Sequence, residues 1–212
     1  MPAATYTRGE EIANSLTHGL GFLLSIAGLA ILVTFAALRA DAWTVTADAI
    51  FGASMVLLYG SSTLYHSLRA PRLKHVVRVV DHVAIFLLIA GTYTPFMLVS
   101  LRGPWGWSLF GVVWALAAAG TALKVFFTGR FRVLSTLVYL FMGWLVIVAI
   151  KPLVEALPRL SLIMLFAGGI AYSLGTVFYL WKRLPYHHAV WHLFVLAGSI
   201  CHFFAVFASN AV

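Results

Sequence analysis

Two histidines near the C-terminus, His188 and His192, have a spacing that suits metal binding. On an α-helix a separation of four residues corresponds to about 40° of rotation and roughly 6 Å of rise, so both imidazoles project from one face. One ion could therefore contact both rings. A protein metal site needs a third ligand, and usually a carboxylate or water close by, so the other elements of the chain decide whether a site can form.

The composition excludes a soluble globular domain. Hydrophobic residues make up 62% of the chain and charged residues only 9%, whereas a charged share of about 25% is usual in soluble domains. We see no long polar block and no convincing internal repeat, and we predict one domain over residues 1–212 with a short interfacial segment at about residues 1–18. The net charge of +8 comes from short basic clusters between apolar runs, which indicates membrane topology and no binding to nucleic acid.

Seven apolar runs are long enough to cross a bilayer, which takes about 20 helical residues. The predicted fold is therefore an all-α integral membrane protein, a seven-transmembrane helix bundle. The predicted spans cover residues 19–38, 47–67, 82–101, 105–127, 133–150, 160–181 and 189–209.

The distribution of basic residues predicts how the bundle is oriented. Ten of the fourteen Lys and Arg residues lie on the side of the N-terminus, and basic residues are enriched in cytoplasmic loops. We therefore predict a multi-pass protein of the plasma (inner) membrane with the N-terminus cytoplasmic and the C-terminus outside. This topology places His66, Asp81, His188 and His192 at one membrane depth.

Three histidines and one aspartate at one depth match the ligands of a zinc site that keeps a position open for water. Such an ion lowers the pKa of its water to about 7 and polarises a carbonyl, as hydrolysis of an amide or ester requires. Asp81 could bind the metal directly or act as general base on the bound water. Ser62, four residues before His66 and on the same helical face, could hydrogen-bond the water, a substrate or Asp81.

Each of these residues also has a simpler interpretation. Asp81 could pair with Arg78 at the end of a loop, and Ser62 could be a small packing residue in a membrane helix. Isolated histidines at a membrane boundary are commonly interfacial, which is the interpretation we favour for His75, His82 and His187. His202 lies about 15 Å beyond His192 along a helix, too far to share the ion, and is expected to form a hydrogen bond in the core.

Two further stretches carry polar residues near the predicted spans. Glu11, Asn14 and His18 follow three- and four-residue spacing and share one side of a helix, which either caps the first span at the interface or braces the site. The stretch Thr92-Tyr93-Thr94-Pro95 is expected to kink the third span, because proline removes a backbone donor, and such a kink can open a cavity.

Taken in order, these motifs resemble one family over nearly the whole chain. They are Glu11-x-x-Asn14-x-x-Thr17-His18, Ser62-x-x-x-His66, Asp81, Thr92-Tyr93-Thr94-Pro95, and His188-x-x-x-His192 with His202. The combination resembles the hemolysin III branch of the progestin and adipoQ receptor (PAQR) superfamily, whose animal relatives include the adiponectin receptors. The wider superfamily includes alkaline ceramidases.

The resemblance implies a seven-helix bundle with zinc held by His66, His188 and His192. It also implies that Asp81 meets the zinc directly or through water and that Ser62 belongs to the same site. We expect a zinc-dependent hydrolase of lipid amide or ester bonds, with Asp81 and Ser62 as catalytic residues and membrane lipids as partners. The alternatives are a non-enzymatic sensor or regulator with structural zinc, and a pore-forming protein. The sequence is also compatible with a homo-oligomer.

Overall fold

The protein is an all-helical bundle, and the computed structural model describes residues 6–210. Within that range it has seven helical segments long and apolar enough to cross a membrane, and no β-strand. The prediction of an all-α, seven-transmembrane bundle is confirmed. The spans are Arg8–Arg39, Ala42–Ser67, Pro71–Ser100, Pro104–Phe127, Arg132–Ala156, Arg159–Leu180 and His187–Ser209.

Two of the seven spans are not continuous α-helices. The third is an α-helix followed by a π-helix at Phe96–Ser100, and the fifth is two α-helices joined by a 3-10 helix at Leu145–Ala149. We number the α-helices as α1 Arg8–Arg39, α2 Ala42–Ser67, α3 Pro71–Pro95, α4 Pro104–Phe127, α5 Arg132–Trp144, α6 Ile150–Ala156, α7 Arg159–Leu180 and α8 His187–Ser209.

Two helices extend well beyond the apolar runs that predict them. The first begins at Arg8 and not at residue 19, and the third begins at Pro71 and not at residue 82. Thr7 starts α1 with a capping box, because its hydroxyl accepts the Glu10 backbone N–H while the Glu10 carboxylate accepts the Thr7 N–H. An apolar run stops at the first charged residue, whereas the backbone hydrogen bonds of a helix continue through charged residues. These extensions carry much of the site described below.

The interruption of the fifth span lies against Tyr93 of the third span, two residues before Pro95. Pro95 cannot donate a backbone hydrogen bond, and the chain after it widens into the π-helix Phe96–Ser100. In the fifth span the Tyr93 hydroxyl donates to the Met142 carbonyl at 2.8 Å and accepts the Val146 N–H at 2.8 Å. Tyr93 thus satisfies backbone groups where α5 changes into a 3-10 helix, and the fifth span is not the single helix predicted over residues 133–150.

The two N-terminal helices pack closely through glycines. A Cβ on Gly21 would lie 2.5 Å from the Tyr59 ring, and a Cβ on Gly52 would lie 3.0 Å from the Leu29 Cα. Small residues that allow such backbone approach are typical of membrane helix interfaces. This contact holds the start of α1 beside the end of α2, next to the start of α8. We refer to the end of the bundle where these three meet as the N-terminal end.

Replacing Gly52 with Ala is therefore expected to destabilise the bundle by about 1–3 kcal/mol, the usual cost of overpacking. The matched control is Gly111→Ala in α4, because nothing lies within 4 Å of a Cβ at that position. Unfolding of the purified proteins in detergent measures the difference. Equal stability of Gly52→Ala and wild type would contradict this account of the α1–α2 interface.

Candidate metal centre

Three histidines from two helices meet at the N-terminal end of the bundle. His66 lies in the last turn of α2, while His188 and His192 occupy the first two turns of α8. One ligand nitrogen of each lies within 4.8 Å of the other two. A tetrahedral ion such as zinc, with bonds of about 2.1 Å, places its nitrogen ligands about 3.4 Å apart. Small side-chain movements would therefore bring the three nitrogens to the distances needed to coordinate one ion.

His66 is held in the tautomer that a metal ligand needs. Its Nδ1 donates to the Glu11 carboxylate at 2.6 Å, and a carboxylate can only accept. The proton on Nδ1 leaves the Nε2 lone pair free, and Nε2 is buried with no hydrogen-bond partner among residues 6–210. Glu11 is itself held by the Lys74 ammonium, which donates to its other oxygen at 2.6 Å. A carboxylate behind a ligand histidine is a common support of metal sites.

His192 is oriented by the same helix. Its Nδ1 donates to the Asn14 backbone carbonyl at 3.2 Å, and the Thr17 hydroxyl lies 3.2 Å from the same nitrogen. Because the carbonyl can only accept, Nδ1 carries the proton and Nε2 is left for a metal. Thus α1 supplies the partner of a ligand on α2 and of a ligand on α8. The polar stripe of α1 braces the site, one of the two roles considered for it from the sequence.

Tyr6, two residues before α1, covers the cluster. The Tyr6 ring stacks on His188 with centroids 5.1 Å apart and lies 5.8 Å from the ring of His66. Burial raises the pKa of the Tyr6 phenol, so the hydroxyl keeps its proton at neutral pH. The Glu10 carboxylate accepts the Tyr186 N–H at 3.1 Å, just before α8. These contacts hold Tyr6 and the first turn of α1 against the start of α8 and close this side of the site.

Asp81 and Ser62 line a cavity that also reaches His188 and His192. The cavity has a volume of about 810 Å³ and extends into the bundle along α3, α5, α7 and α8. Asp81 is not one of the three residues whose ligand atoms cluster. One Asp81 carboxyl oxygen lies 3.9 Å from His82 Nδ1, and Ser62 of α2 lines the same cavity. The structure therefore brings both predicted catalytic residues to the wall of the cavity beside the histidines.

The other histidines have separate roles. His202 hydrogen-bonds the Leu165 carbonyl through Nε2 at 3.1 Å, the core contact expected of it. His187 is buried and contacts the Phe178 carbonyl at 3.1 Å, so it does not lie at an exposed interface, and His82 lines the cavity. His75 is exposed. His18 stacks on His192 with ring centroids 3.4 Å apart and neither of its nitrogens has a hydrogen-bond partner within residues 6–210.

The contact between His18 and His192 was not predicted from the sequence. In the sequence His18 belongs only to the polar stripe of α1 and to one motif, and a single histidine carries no signal of its partner. Its spacing from Asn14, which places both on one face of a helix, was the usable indication.

Comparison with known proteins assigns the chain to a family. A sequence profile described as "Haemolysin-III related" matches residues 6–203. The chain belongs to the haemolysin-III-related family. The protein is 53% identical to "Hemolysin-3 homolog" of Bacillus subtilis (strain 168) over 201 residues, which cover 95% of this chain and 94% of that protein. It is also 53% identical to "Hemolysin-3" of Bacillus cereus over 197 residues, 93% of this chain and 90% of that protein.

More distant members of the superfamily also align along most of the haemolysin-III-related chain. "Monocyte to macrophage differentiation factor" of Homo sapiens is 28% identical over 206 residues, which cover 93% of this chain and 83% of that protein. The resemblance to the hemolysin III branch of the PAQR superfamily is thus confirmed. With its seven membrane-spanning helices, this member of the family is a multi-pass protein of the plasma membrane.

The cluster predicts that each of its histidines is needed for metal binding. His66→Ala, His188→Ala and His192→Ala are each expected to lose stoichiometric metal, because two remaining nitrogens do not complete a protein site. His75→Ala on exposed α3 surface is the control and is expected to keep the metal. Elemental analysis of the purified proteins measures the content. Full metal content in all three cluster variants would rule the site out.

Glu11 is expected to act on the metal through His66. Glu11→Ala removes the acceptor that fixes the His66 tautomer and should lower metal affinity about 10- to 100-fold, as is usual for such supporting groups. Glu155→Ala is the control, since Glu155 is an exposed residue of α6 that does not line the cavity. Competition with a chelator of known affinity gives the comparison, and equal affinity of wild type and Glu11→Ala would refute this role.

Proposed function

We propose that the protein is a zinc-dependent hydrolase that cleaves an amide or ester bond of a membrane lipid. The observation that carries the proposal is the cavity of about 810 Å³, whose lining includes His188, His192, Asp81 and Ser62. Ligand sites are typically clefts of about 300–1,000 Å³ with apolar walls and a few convergent polar groups. This cavity has that size and that arrangement of groups.

The donor set favours zinc over Mg²⁺ and Ca²⁺. Three imidazoles and an open position suit Zn²⁺, whereas Mg²⁺ and Ca²⁺ prefer oxygen ligands. The buried, unpartnered Nε2 of His66 and Nδ1 of His188 are polar atoms that an ion would satisfy. Zinc, when bound, would lower the pKa of a water to about 7 and polarise a carbonyl oxygen.

The remaining chemistry falls to side chains of the cavity wall. Asp81 is placed to accept a proton from an attacking water and to return it to the leaving nitrogen or oxygen. Ser62 lines the same cavity as Asp81 and would orient the Asp81 carboxyl or hydrogen-bond the scissile carbonyl. Because Asp81 stands outside the three-histidine cluster, we favour action through water over direct metal binding.

The apolar part of the cavity accounts for a lipid substrate. Leu88, Ile89 and Met97 of the third span and Val195 of α8 line it farther from the histidines. A hydrocarbon chain lying along these residues would be removed from water and bulk lipid, and its first carbons would lie near Asp81. The acyl group would then present its carbonyl at the metal end of the cavity.

A second candidate is a sensor or regulator in which zinc has only a structural role. It is favoured by the hydrogen bonds that connect α1 to both His66 and His192, because an ion on these rings would lock α1, α2 and α8 together. This function predicts loss of thermal stability on chelation without turnover of any lipid.

The hydrolase is tested by incubating zinc-loaded protein with panels of N-acyl and O-acyl lipids and measuring released fatty acid. Asp81→Asn is expected to slow release about 100- to 10,000-fold, the usual contribution of general acid–base catalysis, and to keep its zinc. Asp41→Asn is the control, because exposed Asp41 only caps α2 and pairs with Arg102. Turnover that survives Asp81→Asn, or that survives complete removal of zinc, would exclude this mechanism.

A further inference from the structure

We infer that the N-terminal end of the cavity binds an anionic group, so that the preferred lipid carries a phosphate or a carboxylate in its headgroup. This inference rests on the proposed function for the nature of the substrate, but it concerns binding and not the chemical step. It separates acidic lipids from neutral ones such as ceramide and diacylglycerol. The observations that carry it are the number, placement and lack of partners of cationic side chains around the cavity.

Four cations line the cavity. Arg78 and Arg132 are half-buried, whereas Arg130 and Lys182 are exposed at its edge. None of the four makes an ion pair within 4.0 Å among residues 6–210, where the cationic partners of carboxylates are His66, Lys74, His82 and Arg102. The two glutamates of α1 are engaged elsewhere, and Asp81 is the carboxyl that faces this group. The cavity end therefore carries a net positive charge that attracts an anion.

Arg132 points into the protein and not toward bulk solvent. Its Nε is buried and has no hydrogen-bond partner among residues 6–210, and its guanidinium lies 4.2 Å from the centroid of the Tyr179 ring. The Tyr179 ring is in turn 6.0 Å from the ring of His188. An arginine stacked on a tyrosine in this way has its planar fork fixed, ready for bidentate contact with a phosphate or carboxylate.

Arg78 reaches the same place from α3. A Cβ on Gly129 would lie 2.8 Å from Arg78 Nη2, so the guanidinium packs against the backbone between α4 and α5. Gly129 has a φ of +83° and Phe131 a φ of +54°, and this turn brings the start of α5 to Arg78. Phe131 provides no side-chain cap for α5, so the positive end of that helix adds to the charge of the two arginines.

Two other arginines at this end of the bundle lie on the surface and serve as a comparison. Arg69 and Arg72 are exposed, and neither lines the cavity. They are suited to loose contact with headgroups of the bilayer surface. Arg78 and Arg132 are half-buried and line the same cavity as Asp81 and His188, so they would select the one lipid that enters.

The test measures lipid binding to zinc-loaded protein in detergent, without turnover. Phosphatidylglycerol supplies a phosphate, an N-acylglycine supplies a carboxylate, and diacylglycerol and ceramide are the neutral probes, all with matched acyl chains. Wild type is expected to bind at least one acidic probe about tenfold or more tighter than the neutral ones, and added salt should reduce that preference. The acidic probe that binds identifies the headgroup.

The variants are Arg132→Gln and Arg78→Gln, with Arg132→Lys as the conservative change and Arg72→Gln as the matched surface control. Arg132→Gln and Arg78→Gln should each weaken acidic-lipid binding about tenfold and leave neutral-lipid binding within about twofold, because one charge-assisted contact is lost. Arg132→Lys should restore part of the loss, and Arg72→Gln should change nothing. Zinc content and melting temperature show whether each variant is folded.

Equal affinity of wild type for acidic and neutral probes would overturn the inference, as would an equal loss in Arg72→Gln and Arg132→Gln. If Arg132→Gln fails to fold, Arg78→Gln and the salt dependence of wild type decide the question. Failure of the hydrolase appears differently, as acidic-lipid binding without released fatty acid. Conversely, cleavage of ceramide or diacylglycerol as fast as acidic lipids would refute the anion site and leave the hydrolase standing.

Discussion

Close contact among three imidazoles, two of them buried and one half-buried, is the constraint on which the rest of this structure depends. Each neutral ring has a donor and an acceptor nitrogen, and a buried polar atom without a partner is costly. The first helix meets part of this requirement by giving the His66 and His192 Nδ1 atoms their acceptors. The long, capped start of α1, its glycine contacts with α2 and its polar stripe all follow from that task.

The same arrangement separates charges at this end of the bundle. Glu11 is occupied by His66 and Lys74, and Glu10 by Thr7 and the backbone before α8. Asp81 is consequently the carboxyl that faces the cavity, while arginines of α3 and α5 face it without carboxylate partners among residues 6–210. A single acid beside an excess of cations leaves this end of the cavity with a net positive charge.

Much of this could be predicted because it depends on periodicity along single helices. Apolar runs predict the seven spans, and the four-residue spacing of His188 and His192 predicts that they share one face of α8. The distribution of basic residues predicts that His66 lies at the same membrane depth as these two. The missing parts depend on contacts between distant residues. The start of α1 is polar because it faces other polar groups, and hydropathy ends a span there. The Tyr93 hydroxyl, on the third span, binds backbone groups of the fifth span where that helix is interrupted. His18 and His192 are in contact although 174 residues separate them in the chain, and no local sequence pattern encodes either contact.

The order in which the chain is made gives the bracing of the site a further meaning. Glu11, Asn14 and Thr17 are synthesised at the start, whereas His188 and His192 belong to the last helix. The polar side chains of α1 contact His66 of α2 and His192 of α8. Until α8 has entered the membrane, these side chains therefore lack one of their two histidine partners. The three-histidine cluster can therefore form only after the last helix has joined the other two.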